Sequence, residues 1–325
     1  MVQRYKEWLK KIPIPICGLI LGLVSLGNLL SSEGYTQVGS IYGWSGIMLM
    51  FFFMTKVFFT MKHTFKTLED PIIASVAPTF TMAWMVICVF LSGLVSEFWL
   101  LQWIWVSAVI LHFLLMIYFV AVHIFPVKIE LEHIYPSWFI TFVGIGVIPN
   151  TSEIFVKAWG KFIIWIALFF YLILLPIILK RVLQGRRLGD MHESTLPLIT
   201  IMMAPGSLCL AGYLSLTTER KSFVLILLLF LLSQGIYFCT LFFLRRLLLV
   251  RFYPSYAAFT FPLVISATAM YKIYLLFHTT KTVEIPLHGL FLIETLLAVS
   301  IVTYVFLRYL KYLMECFIPE STNDL

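Results

Sequence analysis

Residues 223–243, FVLILLLFLLSQGIYFCTLFF, run for 21 positions without one charged side chain. A stretch of about 20 apolar residues is what a helix needs to cross a hydrocarbon core of about 30 Å. The flanks agree with that reading, with Lys221 before the run and Arg245, Arg246 and Arg251 after it. The whole chain repeats the pattern. Of its 325 residues 61% are hydrophobic and 12% charged, with a mean hydropathy of +0.97. Soluble domains carry about 25% charge, so this chain cannot cover a soluble surface. Its net charge of +7 is not the patch of a nucleic-acid binder. The Lys and Arg residues sit in short clusters between apolar runs, as membrane topology requires.

Ten apolar runs are expected to span, at roughly 13–30, 41–61, 71–92, 99–122, 136–151, 158–180, 195–217, 221–244, 254–277 and 286–313. They make one all-α integral membrane domain over 1–325, with short tails at 1–12 and 314–325. With the N-terminus in the cytoplasm, 17 of the 23 basic residues fall on the inner side and five on the outer. That asymmetry places both termini inside. Cys17, Cys88, Cys209, Cys239 and Cys316 form no CxxC pair and read as small core residues.

Five outward-going runs each open on a proline: IPIPICG, DPIIASV, YPSWFIT, TLPLITI and YPSYAAF. The intervals between Pro15, Pro71, Pro136, Pro197 and Pro254 are 56, 65, 61 and 57 residues, one helical hairpin each. The odd runs also hold internal prolines (Pro78, Pro205, Pro262) and small or hydroxylic residues such as Gly18, Gly22 and Ser25. The even runs are mostly Leu, Phe, Ile and Val. Broken helices are tolerated at membrane depth where neighbours or a cavity satisfy the freed backbone, so five kinked odd helices belong inside five apolar even ones.

The odd runs contain no Asp or Glu between their opening prolines and outer ends, and their one charge is Lys272. A proton- or sodium-coupled path needs buried carboxylates, whereas an anion path needs their absence, with a few positive groups and hydroxyls. Two other ionisable groups lie in the runs. His112 reads as a hydrogen-bonded core residue and Glu294 as bonded to a neighbouring helix. No catalytic constellation, cofactor motif or metal-ligand pattern is present: HExxH, GxSxG, P-loop and CxxC are all absent.

Three segments, IPICGLILGL (14–23), MAPGSLCLAGYLS (203–215) and YAAFTFPLVISATAMYK (256–272), resemble the tellurite-resistance/dicarboxylate transporter family, which includes bacterial TehA and the plant slow anion channels. The likeness extends over the membrane core through its ten-span layout. It implies five helical hairpins in a pseudo-fivefold ring, with the odd helices lining a central pore. It also implies a homotrimer with one pore per subunit and a phenylalanine plug from the ninth span. In FTFP the residue before the proline matches the plug, which is Phe261, with Phe259 as fallback; the pore-facing glycine is Gly18. Pro78, Pro205 and Pro262 are then kinks of the wall. On a regular helix Ile265, Thr268 and Lys272 share the face of Phe261, which puts Lys272 in the outer vestibule. The expected function is a passive anion channel of the plasma membrane, taking small inorganic or organic anions. The alternative is a secondary carrier for dicarboxylates or tellurite-like oxyanions.

Overall fold

The computed structural model describes residues 2–95, 98–184, 192–217, 221–278 and 281–317. Arg186, Arg187 and Arg220 of the charge count, and the tail from 318, lie outside these. Among the described residues the chain is helical, without a strand. Ten stretches follow one another: α1 (Ile16–Ser32), α2 (Thr36–Phe59), α3 (Pro71–Ser92), α4 (Phe98–Ile124), α5 (Trp138–Thr151), α6 (Lys157–Gln184), α7 (Glu193–Ser215), α8 (Phe223–Leu248), α9 (Pro254–Phe277) and α10 (Lys281–Phe317). Eight of them, α2 to α4 and α6 to α10, are long and apolar enough to cross a membrane. A ninth would be α1 taken together with a leading helix bent 73° from it, and α5 is shorter. Ten spans were expected, and length and composition support eight.

The expected tails differ as well. Residues Val2–Lys11 form that leading helix, with Lys10 and Lys11 in its last turn, and α10 continues to Phe317. The leading helix buries Leu9, and Tyr309 of α10 is fully buried. Between α1 and α2 the turn is tight. Gly34 takes φ 94°, a left-handed conformation that costs glycine nothing, which lets α2 begin at Thr36 instead of 41.

Odd and even stretches have different surroundings. In their apolar cores α3, α7 and α9 are 72%, 89% and 67% buried, whereas the even stretches are 28–44% buried. The even stretches turn outward side chains such as Phe51, Trp103, Leu172 and Phe242, each about two-thirds exposed or more. Those faces are where lipid would lie. Each even stretch packs on the odd one before it. The odd stretches pack on each other in a closed order, α1 on α3, α3 on α5, α5 on α7, α7 on α9 and α9 on α1.

Four of the odd stretches, α3, α5, α7 and α9, are also broken. α7 starts as a 3₁₀ helix over Glu193–Met203 and α9 as one over Pro254–Phe259. α5 has a 3₁₀ turn at Gly144–Gly146, and α3 breaks at Ala77 and Pro78. Runs of 3₁₀ helix beyond three or four residues are uncommon because their bonds are poorly aligned, so carbonyls here need other donors. Hydroxyls supply them. Thr79, Thr81, Thr200 and Thr260 each donate to a carbonyl three residues back, at 2.7–2.8 Å.

The same side chains join neighbouring stretches. Thr260 reaches Gly18 O on α1 (3.0 Å), and Thr200 reaches Ala258 O on α9 (2.8 Å). Thr141 of α5 donates to Ser75 O of α3 (2.9 Å). Asn150 of α5 donates to Leu208 O of α7 (3.1 Å), and Asn28 of α1 to Val86 O of α3 (3.2 Å). All five neighbouring odd pairs are thus linked. Ser207 on α7 and Ser266 on α9 add a buried hydroxyl pair at 2.9 Å.

His112 is fully buried with Nδ1 2.8 Å from Thr81 Oγ1. Glu294 is fully buried, with Gln234 of the neighbouring α8 beside its carboxylate. Cys17, Cys88 and Cys209 are buried and unpaired, while Cys239 is exposed on α8.

The contact of α1 with α9 depends on Gly22. A Cβ there would lie 2.5 Å from Thr260 Oγ1 and 3.1 Å from Phe261 N. Gly22→Ala should therefore lower stability by about 1–3 kcal/mol through overpacking, read as an earlier thermal midpoint in detergent. Gly235→Ala, which meets nothing within 4 Å, should leave the midpoint where it is.

Candidate functional site: an apolar throat between the odd stretches

A cavity of about 230 Å³ lies among the five odd stretches and receives residues from all of them. Its mouth is formed by Pro15, Asp70, Ser194 and Ser255, which stand at the starts of α1, α3, α7 and α9. That end also carries Lys10, Lys11 and Lys56, and is called the basic end below. Deeper residues include Gly18, Val76, Met82, Gly144, Leu208 and Phe261. The cavity therefore occupies the halves of the odd stretches in which the helices are broken. Irregular backbone at this depth is tolerated where it lines a cavity, and the hydroxyl bonds already described keep its carbonyls satisfied.

The wall is chemically plain. Asp70 is its one charged side chain among the described residues. Its Oδ1 accepts from the backbone N–H groups of Ile72 (2.8 Å) and Ile73 (3.0 Å), so the carboxylate caps α3 and much of its field is spent there. The hydroxyls of Thr79, Thr195 and Ser255 donate to the carbonyls of Val76, His192 and Ser194. Their hydrogens are thereby turned away from the lumen. What faces inward is mostly aliphatic and aromatic, a surface that narrow water columns desert and that hinders ions on that account.

The expected site residues fall into two groups. Gly18, Pro205, Phe261 and Pro262 line this cavity. Phe261 is 8% exposed and begins the α-helical part of α9, directly after Thr260. The helix breaks at Thr260 (φ −87°, ψ −76°), and Pro262 sits in the first turn of the new helix, where its missing N–H costs nothing. Phe259, the fallback, is fully buried, with its ring 5.0 Å from Tyr256 in an edge-on contact.

Pro78, Ile265, Thr268 and Lys272 are not among the residues lining the cavity. Pro78 makes the break of α3 and its carbonyl accepts from Thr81. Ile265 is buried, and Thr268 donates to Val264 O at 2.8 Å. Lys272 donates to Ala211 O (3.3 Å) and to Ser215 Oγ, in the last turn of α7. Nearby, Lys221 donates to Leu214 O (2.6 Å). Two ammonium groups thus sit on the carbonyl end of α7, where the helix dipole favours cations.

Sequence reading missed the ties made by Thr200 and Thr260, although each lies within a few residues of a proline. It also counted Lys56 only among the inner-side charges, whereas the side chain is 1% exposed inside the molecule. The signal was available in part: Lys56 interrupts an apolar run, FFFMTKVFF.

The middle of this helical molecule is a mostly apolar throat between five odd stretches, four of them broken. The chain belongs to the voltage-dependent anion channel family, SLAC1, whose profile it matches over residues 11–310. Among individually curated proteins none matches it significantly. The family is one of channels and transporters rather than enzymes, and with it come anion substrates and a multi-pass membrane setting. The family resemblance carried by the three sequence motifs is thereby shown.

If the throat opens at the basic end, Ser194→Cys at its mouth should react with a charged thiol reagent applied from that end. Ile265→Cys, outside the cavity, should stay protected on the same timescale. Mass spectrometry of the labelled protein reads both, with the buried native cysteines as internal controls.

Proposed function

We propose that this protein is a passive anion channel of the plasma membrane, gated by the ring of Phe261. Its ten stretches cross as five hairpins in a pseudo-fivefold ring, and the odd members wall a central path. The observation that carries this reading is the throat: all five odd stretches contribute to it, and Phe261 with Pro262 belongs to its wall. The circuit of contacts and hydrogen bonds among the odd stretches supports the ring. The excess of Lys and Arg at the basic end supports a cytoplasmic location for that end and for both termini. Lys272 belongs on this reading to the outer vestibule, and its bonds to the end of α7 hold a positive charge there.

An aromatic ring in a narrow apolar passage stops ions in two ways. It fills the section, and it leaves no room for hydration water. With the acidic wall absent, an anion that does pass meets no fixed repulsion beyond the capped Asp70. Selectivity would then come from width and a weakly positive potential. The carrier alternative would require a coupling group on the path, and the buried carboxylate of Glu294 is on α10, outside the lining.

In liposomes, Phe261→Ala should raise anion conductance by about tenfold or more, which corresponds to only about 1.4 kcal/mol of barrier. Phe259→Ala should do much less, because its ring packs on Tyr256. An unchanged Phe261→Ala that folds normally would remove the gate assignment, and a flux driven by an imposed proton gradient would favour the carrier.

The exposed apolar faces of the even stretches fit a homotrimer buried in lipid. Native mass measurement in mild detergent should give three chains per particle; a monomer at every protein concentration would exclude it.

A further inference from the structure

Lys56 lies near the end of α2, and its side chain is buried among core residues. Its Nζ donates to the carbonyl of Ile12, in the link between the leading helix and α1. The ring of Phe53 is 5.7 Å from the same nitrogen. An ammonium has three hydrogens to give, and among the described residues one is used. No carboxylate pairs with it: the ion pairs there are Lys10 with Glu7, Lys157 with Glu153 and Lys311 with Glu315. Buried charges are ordinarily paired, because taking an ion out of water is costly without a counter-charge.

The side chain borders a second cavity, of about 380 Å³, at the basic end. Lys10 and Lys11 border it too, and no acidic residue does. Pro15, Ile73, Ser194 and Ser255 belong to both this chamber and the throat, so the two adjoin. The acidic groups around it are occupied. Glu7 pairs with Lys10 (2.6 Å), Glu193 accepts from Arg251 N–H and Tyr253 O–H, and Asp70 caps α3. The chamber is thus positive, it leads to the throat, and it holds a buried cation with unmet donors.

We propose that this chamber is an anion-binding site, with Lys56 as its ligand and Lys11 as the attracting rim, and that it serves as the first station for anions moving from the basic end. The inference rests on the channel reading above. The ligand class is the small, monovalent, weakly hydrated inorganic anion, halide or nitrate, since the next step is an apolar throat that strips water. The bound anion supplies the counter-charge Lys56 lacks and accepts the free ammonium hydrogens. Charge focused in a cleft raises the local concentration of its counter-ion, which speeds loading from that side alone.

Two measurements test this. Crystals of the unaltered protein grown in bromide should show an anomalous peak within hydrogen-bonding reach of Lys56 Nζ, displaced when nitrate replaces bromide. An empty chamber at saturating bromide overturns the proposal whatever the channel does. In bilayers, with Phe261→Ala as the conducting background, Lys56→Gln should raise the half-saturating chloride concentration about three- to tenfold for flux from the basic end, the low end of what focusing delivers. Flux from the opposite end should keep its concentration dependence, and Lys56→Arg should restore the parent value. Equal change in both directions, or none, reduces Lys56 to a tie for Ile12. If Phe261→Ala fails to conduct while the bromide peak is present, the gate assignment falls and the binding site stands.

Discussion

A carbonyl released from a helix inside a bilayer has no water to turn to, and this constraint governs the whole interior of the molecule. Four of the odd stretches, α3, α5, α7 and α9, depart from α geometry within the half that lines the throat, so each releases carbonyls there. The hydroxyl and amide side chains that answer them do not stay within one helix. Thr260 shares its one hydroxyl hydrogen between its own Ala257 O and the Gly18 O of α1, and Thr200 shares its own between Pro197 O and the Ala258 O of α9. Local repair and tertiary assembly are therefore the same set of bonds. Interhelical hydrogen bonds in membranes contribute only about 0.6 kcal/mol each on average, so close packing at glycines such as Gly22 must carry the larger share of cohesion.

Much of this architecture was legible in the sequence because lipid is a simple solvent. Apolar length marks α3 and α9, whose expected boundaries, 71–92 and 254–277, coincide with the observed ones. The division into inner and outer helices was legible too, since prolines and small residues cluster in the odd stretches and long aliphatic runs in the even ones. The leading helix escaped detection because Val2–Lys11 is too polar and too short to register as apolar. The length of the 3₁₀ start of α7 escaped for another reason: backbone geometry of that kind is stabilised by partners far along the chain.

The site was legible to a lesser depth. Gly18, Pro205, Phe261 and Pro262 could be picked out from motifs, and the cavity contains all four. Extrapolating a regular helix from Phe261 to Ile265, Thr268 and Lys272 did not lead along the cavity wall, because the cavity lies toward the basic end from Phe261. The charge pattern named a cytoplasmic cluster but could not tell a solvated lysine from a buried one. Lys56 and Lys62 look alike in sequence; their surroundings depend on where the leading helix folds back, with Ile12 O as the contact.

Thr260 has a consequence that concerns time. Its hydroxyl is bonded to two carbonyls, and Gly22 packs against its side chain and against Phe261 N. The backbone just before Phe261 is thus pinned to α1, and swinging the start of that helix would break several contacts together. The freedom that remains nearby is rotation of the ring about its own side-chain bonds. Side-chain rotations are far faster than collective helix motions, which run from microseconds to milliseconds. A passage controlled at this point would flicker, with brief openings set by one ring, and any slow rhythm in its currents would have to originate elsewhere in the protein.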